Sequence, residues 1–321
     1  MKLRIGSRGS QLALWQANHI AVLLRAQQHE VEIEVIKTSG DRLQEVTFGQ
    51  AGAISGSKGL FTKEIEEALA NGRVDLAVHS LKDLPTDLPE PFALAAIPAR
   101  VDARDVFVSV KHVSLAALPK RARVGTSSLR RRAQVVALKP DVEAIEFRGN
   151  VDTRLRKLGE EQVEAILLAA AGLDRMGKTD WVKERFEPSE FCPAAGQGAL
   201  AIETRKDDAE TIAAVSFLDH AETRFAVTAE RSALAALGGG CQVPIGVHCR
   251  PAFAEEDSGK TWWEIFGMVA SPSSGKIVRM HLYAPREQTD PASVGRETAE
   301  MLKAEGAGEL LAEGGLSDGA A

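Results

Sequence analysis

The 321-residue chain lacks several features that would define other classes of protein. Its three cysteines, Cys192, Cys241 and Cys249, show no CxxC spacing, so neither a disulfide framework nor a zinc knuckle is indicated. No apolar run approaches the length of a membrane span, and residues 1–8 run into strand-like sequence without the apolar core of a secretory signal. We therefore expect a cytoplasmic protein without a metal site.

The chain carries no overall positive charge, but it contains one locally basic segment. The formal net charge of -6 argues against a protein that binds nucleic acid with its whole surface. Residues 121–156 nevertheless hold eight arginines and one lysine against four acidic residues. Such a patch suits an anionic ligand, although a solvated helix face with ion pairs would give the same composition.

The order of strand and helix signals predicts an α/β fold. Residues 2–5 form a strand pattern, residues 12–24 a helix after Ser10 as N-cap, and residues 74–78 a buried strand. The pattern repeats from near Arg104, which predicts two similar lobes with a cleft between them. A helix near residues 222–237 and three strand candidates then predict a smaller C-terminal α+β domain.

The first candidate site follows the buried strand that ends near His79. The segment His79-Ser80-Leu81-Lys82-Asp83-Leu84-Pro85 lies where an open α/β sheet places its ligands. The carboxylate of Asp83 can donate a proton to a departing amine, stabilise the resulting cation and later accept a proton. The alternative is that Asp83 is an ordinary turn residue near a proline.

The second candidate site is the segment Gly125-Thr126-Ser127-Ser128-Leu129-Arg130-Arg131-Arg132. It places three hydroxyls and several arginines at a predicted helix N-terminus, which favours a ligand with several carboxylates. The alternative is that Thr126 or Ser127 only caps the helix while the arginines face water. Nucleic acid is a weaker alternative, because no aromatic stacking platform lies near this patch.

Two further groups of residues are expected to meet the same ligand. Arg148 and Arg154 follow another strand candidate and are predicted to converge with the arginines at 130 and 131. Arg8 and Ser10 follow the first strand and are predicted to face the cleft from the other lobe. Alternatively, Arg8 pairs with surface acids and Ser10 only caps its helix.

The segment from Leu237 to Gly246 is the most unusual in the chain. Three glycines before Cys241 leave room for a bulky group, and Pro244 restricts the backbone that follows the cysteine. A cysteine in a loop near cations is partly thiolate and can bond to an electrophile. For Cys192 and Cys249 we expect the default role of an inert, small apolar side chain.

Taken together, these motifs resemble those of the hydroxymethylbilane synthase (porphobilinogen deaminase) family, in order and in spacing, over nearly the whole chain. The motifs that carry the resemblance are Arg8-x-Ser10 with Leu12 to Trp15, Lys58 to Phe61, His79 to Pro85, Gly125 to Arg131, Arg148 to Val151, Pro193 to Gly198 and Gly239 to Gly246.

The resemblance implies two periplasmic-binding-protein-like lobes around a cleft and a small C-terminal domain that bears the cofactor cysteine. The corresponding boundaries are residues 1–99 with 197–217 for the first lobe, 104–193 for the second and 220–321 for the third domain. A cytoplasmic monomer that binds neither nucleic acid nor membrane is expected.

The resemblance also implies the chemistry. Cys241 would hold a dipyrromethane cofactor through a thioether, and Asp83 would assist loss of ammonia from porphobilinogen. The implied cofactor-binding residues are Cys241, Lys82, Asp83, Thr126, Ser127, Ser128, Arg130, Arg131, Arg148 and Gly149. The implied substrate-binding residues are Arg8, Ser10, Lys58, Phe61, Arg148, Arg154, Arg175 and Gln197, with Lys58 on a loop of residues 49–59 that covers the cleft.

Two other functional classes stay open at this point. A non-catalytic binding protein for an anionic small molecule would also use two lobes around a basic cleft, and it would not depend on Cys241. A regulator that binds nucleic acid would rely on the arginines at 130–132 and show strongly salt-dependent binding.

Overall fold

The computed structural model describes residues 1–39, 62–239, 243–253, 261–271, 275–287 and 289–313. The chain divides into two compact units. The first comprises Met1–Val101 and Ala199–Thr223, and the second comprises Asp102–Gly198 and Arg224–Ala321. None of the helices within the described residues has both the length and the apolar composition needed to cross a membrane.

The first unit is built on a five-stranded sheet in the order β2-β1-β3-β10-β4, in which only β10 runs antiparallel to its neighbours. Its strands are β1 (Lys2–Ser7), β2 (Glu30–Val35), β3 (Leu76–Ser80), β4 (Phe92–Ala96) and β10 (Leu200–Arg205). Its helices are α1 (Gln11–Ala26), α2 (Lys63–Ala70) and α6 (Ala209–Val215). The predicted N-cap of α1 is confirmed, since Ser10 Oγ accepts a hydrogen bond from Ala13 N.

The second unit contains a five-stranded sheet of the same design, in the order β7-β6-β8-β5-β9. Its strands are β5 (Asp105–Val108), β6 (Arg123–Gly125), β7 (Glu143–Ile145), β8 (Ala165–Ala169) and β9 (Val182–Arg185). Its helices are α3 (Leu129–Leu138), α4 (Val151–Gly159) and α5 (Ala170–Arg175). In both sheets the fourth position holds an antiparallel strand, β10 in one and β5 in the other, which confirms the repeated α/β pattern.

The C-terminal part of the second unit is a three-stranded antiparallel sheet with helices, as expected for an α+β domain. The elements are α7 (Ala221–Ala236), β11 (Ile245–Phe253), β12 (Thr261–Ala270), β13 (Ile277–Pro285), α8 (Pro291–Ala304) and α9 (Ala307–Ala312). One face of the sheet packs on these helices through Trp263 and Ile265. On the other face Phe266 and Met268 pack against Cys192, which joins this sheet to the rest of its unit.

Two elements were not evident from the sequence pattern. The proline-rich stretch of residues 85–98 contains β4, which lies at the edge of its sheet and pairs with β10 alone. The prolines lie outside the strand, so they permit it. A helix that the sequence analysis did not predict, α4, begins after Asn150, whose side chain accepts a hydrogen bond from Thr153 N.

Close packing between α7 and α8 gives a stability prediction. A Cβ on Gly295 would lie 2.3 Å from the carbonyl oxygen of Ala229. Gly295→Ala should therefore lower the free energy of unfolding by about 1–3 kcal/mol in urea denaturation, although alanine ordinarily favours a helix. Gly308→Ala in α9 is the matched control, since a Cβ there meets nothing within 4 Å and should leave stability unchanged or raised. Equal stability of both variants would contradict the packing argument.

Candidate active site

The parallel strands β1 and β3 bring several predicted residues to one edge of the first sheet. Ile5 of β1 is paired with Leu76 of β3, so the carboxyl ends of the two strands lie side by side. Arg8 and Ser10 follow β1, and Asp83 follows β3 at the end of a short 3₁₀ turn. This edge is where an open α/β sheet binds its ligands.

The turn that carries Asp83 is anchored at its base. The buried Gln16 of α1 donates a hydrogen bond from Nε2 to Ser80 Oγ at 2.9 Å. The backbone N–H of Leu81 donates to the carbonyl oxygen of Ala199 at 3.0 Å. Asp83 itself is exposed and Lys82 is half-buried, so the carboxylate is accessible on a fixed backbone.

A buried ionisable pair lies directly before this turn. His79 Nε2 is 2.9 Å from Glu203 Oε2, and Glu203 has no exposed surface. The pair ties the end of β3 to its neighbour β10, so it helps to set where the following turn begins. Sequence reasoning singled out the segment that begins at His79 but missed Glu203, which lies 124 residues further along the chain.

In the second unit, the three hydroxyls lie between β6 and α3, as predicted. Ser128 is the N-cap, and its side chain accepts from Arg131 N, so the alternative that Thr126 or Ser127 caps this helix is wrong. Ser127 Oγ donates to the carbonyl oxygen of Phe147 at 2.8 Å. Thr126 Oγ1 accepts from Ser128 N at 3.2 Å, so its hydroxyl can still donate to a ligand.

The arginines of α3 do not all face water. Arg130 and Arg131 are buried, with 4% and 6% of their surface exposed, around the fully buried Asp105. Arg130 Nη1 lies 2.6 Å from Asp105 Oδ2, and Arg131 Nε lies 2.8 Å from Asp105 Oδ1. Burial alone would raise the pKa of Asp105, but the charges of Arg130 and Arg131 outweigh it and hold the pKa at about 2.

Gln197 and Arg175 lie in the same unit and are also buried. Gln197 Nε2 donates to Asp105 Oδ1 at 3.1 Å and to Ala103 O at 2.7 Å, and Gln197 Oε1 accepts from Arg131 Nη2 at 3.4 Å. Arg175 Nη2 donates to Gly198 O at 2.8 Å, and burial lowers its pKa to about 10. Both side chains therefore organise the backbone of the segment before β10.

Arg148 and Gly149 precede α4. Arg148 is exposed and forms an ion pair with Glu146. Gly149 has φ +129, and a Cβ there would lie 2.8 Å from Thr153 Cγ2, so this position requires glycine. Arg154 is half-buried within α4.

Asp152 adds a negative charge in the first turn of α4, and it is paired. Its carboxylate accepts a hydrogen bond from Lys178 Nζ, and both side chains are about 30% exposed, at 28% and 31%. An acidic residue also suits the N-terminal end of a helix, where the backbone dipoles are positive. The charge of Asp152 is therefore balanced locally within its unit.

Three predicted residues, Lys58, Phe61 and Cys241, lie outside the described residues, as does the proposed covering loop of residues 49–59. Among the others, the structure brings Arg8, Ser10 and Asp83 to one edge of the first sheet, and it gathers Arg130, Arg131 and Gln197 around Asp105. Sequence reasoning missed Asp105, because an acidic residue at the start of a strand gives no local sign of its distant partners.

Comparison with known proteins identifies two family models that match the chain. They are "Porphobilinogen deaminase, dipyromethane cofactor binding domain" over residues 3–213 and "Porphobilinogen deaminase, C-terminal domain" over residues 224–304. The porphobilinogen deaminase of Nitratidesulfovibrio vulgaris (strain DSM 19637 / Miyazaki F) is 47% identical over 316 residues, covering 97% of this chain and 96% of that protein.

A second relative and a solved structure extend the comparison. The porphobilinogen deaminase of Trichlorobacter lovleyi is 46% identical over 312 residues, with 97% of this chain and 96% of the relative covered. A crystal structure of the methionine-binding protein MetQ is similar with a TM-score of 0.44 and 12% identity, covering 68% of this chain and 89% of that chain.

The low pKa of Asp105 predicts a pH-dependent contribution to stability. Since the folded-state pKa lies below the ordinary 3.8, the contribution is complete above about pH 4 and is lost as the pH falls towards 2. It amounts to about 2 kcal/mol. Urea unfolding of the wild type and Asp105→Asn between pH 5 and 2.5 should show the difference between them shrinking with acidification. A constant difference would mean that the Asp105 carboxylate is not held ionised by its arginines.

Proposed function

The chain belongs to the porphobilinogen deaminase family, and on this premise we propose which of its residues carry the reaction. The activity is the stepwise joining of four porphobilinogen molecules into the linear tetrapyrrole hydroxymethylbilane, with release of ammonia, in porphyrin and heme biosynthesis. The protein is thus a transferase. The family match favours this activity over the non-catalytic binding protein and the nucleic-acid regulator that the sequence left open.

The observation that carries the residue assignment is the cationic cluster at the start of α3. Porphobilinogen bears an acetate and a propionate group, so substrate, cofactor and product are all polycarboxylates. Arg130 and Arg131 provide two guanidinium groups, and Thr126, which carries a hydroxyl, lies four residues before Arg130. Guanidinium groups bind carboxylates through charge-assisted, often bidentate hydrogen bonds, and a helix N-terminus favours anions.

The same donor set fits a dipyrromethane cofactor. Two linked pyrroles with four carboxylates need several fixed cationic and hydroxyl donors, which the segment from Thr126 to Arg131 supplies on a rigid strand–helix junction. Arg148 and Gly149 are proposed as further cofactor contacts, together with Lys82 and Asp83 of the first unit. When bound, the cofactor supplies the primer to which pyrrole units are added.

We assign Cys241 as the attachment point. Cys192 and Cys249 are each only 1% exposed, and burial raises the pKa of the Cys192 thiol to about 12. A protonated, buried thiol is a poor nucleophile. The three glycines before Cys241 provide a backbone without side chains beside the remaining thiol, which supports its assignment.

Asp83 is the proposed catalytic residue. Its exposed carboxylate, on an anchored turn, can reach the aminomethyl group of porphobilinogen and hold a proton at the nitrogen that leaves as ammonia. The same carboxylate, once ionised, stabilises the cation left on the pyrrole. Positioning on a fixed turn lets one group serve both steps without rearrangement.

The remaining assignments follow the family resemblance. The proposed substrate-binding residues are Arg8, Ser10, Lys58, Phe61, Arg148, Arg154, Arg175 and Gln197. We further propose the three-domain division at residues 1–99 with 197–217, 104–193 and 220–321, and a monomeric cytoplasmic enzyme. Size-exclusion chromatography with light scattering tests the monomer.

The attachment site predicts a specific thiol count. The purified protein should carry the mass of two pyrrole units on the peptide that contains Cys241. After unfolding, iodoacetamide should label two cysteines, Cys192 and Cys249, because a thioether blocks the third. The Cys241→Ser protein should also gain two labels but lack the added mass. Three labels on wild-type protein after incubation with porphobilinogen would contradict attachment at Cys241.

The role of Asp83 predicts a loss of rate without a loss of stability. Asp83→Asn should lower kcat by about 10²–10⁴-fold, the usual contribution of a general acid–base group. Asp87→Asn is the control, because Asp87 is an exposed carboxylate in the same loop. Full turnover by Asp83→Asn, measured as hydroxymethylbilane formation in fully cofactor-loaded enzyme, would exclude the proposed role.

A further inference from the structure

Asp105 is the best-enclosed charged group among the residues assigned to carboxylate binding and their contacts. It is the first residue of β5 and has no exposed surface. Its two oxygens are divided between two arginines, with Arg130 Nη1 at 2.6 Å from Oδ2 and Arg131 Nε at 2.8 Å from Oδ1. Neither arginine therefore depends on a ligand to fix its head group.

Backbone carbonyl oxygens also fix the orientation of the two guanidinium groups. The Nη1 atom of Arg130, which contacts Asp105, also donates to the carbonyl oxygen of Cys192. Arg131 Nη1 donates to the carbonyl oxygen of Leu167 at 3.2 Å. A planar guanidinium held at two points has a fixed plane, so its other donors point in fixed directions.

Gln197 braces the carboxylate from another side. It is fully buried, donates to Asp105 Oδ1 at 3.1 Å, and accepts from Arg131 Nη2 at 3.4 Å. The amide of Gln197 thus connects Asp105 to Arg131, and both its nitrogen and its oxygen have hydrogen-bond partners in this cluster. Gln197 therefore acts as a brace between Asp105 and Arg131.

The charges of the three ionisable groups do not cancel. One carboxylate stands between two guanidinium groups, which leaves an excess of one positive charge in a region shielded from water. An excess charge of this kind attracts an anion strongly, because the surrounding dielectric is low. The Asp105 carboxylate therefore allows Arg130 and Arg131 to be buried together while their combined charge exceeds its own by one.

We propose that Asp105 is a positioning residue, which orients Arg130 and Arg131 before ligand binding so that they receive the carboxylates of the dipyrromethane cofactor, with Gln197 as its brace. The inference rests on the proposed function and deepens it. It concerns how the cofactor is acquired, since the arginines are set before the cofactor is attached.

The test is cofactor loading of the full-length apoprotein, prepared in cells that make no porphobilinogen. Wild type and Asp105→Asn are incubated with porphobilinogen, and the protein carrying two added pyrrole units is counted by intact mass over time. For Asp105→Asn, the porphobilinogen concentration that gives half-maximal loading rate should rise at least about tenfold, the loss expected for one charge-assisted hydrogen bond. The limiting rate should change less.

Asp102→Asn is the matched control. Asp102 is a carboxylate three residues earlier whose ion-pair partners are Arg104 and Arg185. Both variants should lower the thermal unfolding midpoint of the apoprotein, but only Asp105→Asn should change the half-saturating concentration. Loading of Asp105→Asn at wild-type concentrations would overturn the proposal, whatever its stability.

If Asp105→Asn does not fold, a second variant tests whether the cluster around Asp105 positions the arginines. Gln197→Met keeps the ion pairs and the buried volume but removes the brace. Its half-saturating concentration should rise about threefold, a smaller loss because Asp105 still holds both arginines. An unchanged value would overturn the proposal. Wild type that gains no two-pyrrole mass would instead overturn the attachment at Cys241, and this inference with it.

Discussion

Two like charges buried side by side need a third group between them, and in this protein that group is Asp105. Removing a guanidinium from water costs several kcal/mol unless its donors are satisfied, and two adjacent ones also repel. Asp105 and the carbonyl oxygens of Cys192 and Leu167 satisfy Arg130 and Arg131. Because well-packed apolar residues often give comparable stability, the buried charges support the proposed role of these arginines in ligand binding.

The proposed catalytic residue and the proposed carboxylate-binding residues lie in opposite physical environments. Asp83 is exposed on a turn whose backbone is anchored by Gln16 and Ala199, which suits a group that must gain and lose a proton. Arg130 and Arg131 are buried and held in ion pairs, which suits groups that must keep their charge and direction. Proton transfer is thus assigned to the accessible group and carboxylate binding to the enclosed ones.

Local sequence pattern was enough for much of this organisation. The repeated strand–helix alternation predicted two α/β lobes, and the run from Thr126 to Arg131 predicted the helix that begins at Leu129. The partners of these residues could not be predicted in that way. Asp105 lies 25 residues before Arg130, and Glu203 lies 124 residues after His79. These pairs form because β5 and β10 insert next to strands that are distant in sequence. The periodicity of apolar residues does not predict which strands become neighbours.

The environments of the cysteines show why a covalent site should lie apart from the packed core. The thiol of Cys192 is enclosed by Phe266 and Met268, and burial raises its pKa to about 12, so it stays protonated at neutral pH despite the nearby charge of Arg130. A thiol that must attack an electrophile needs the reverse conditions, with access for a bulky group and stabilisation of the thiolate. The three glycines before Cys241 carry no side chains of their own, which supports the proposal that the cofactor is attached to Cys241.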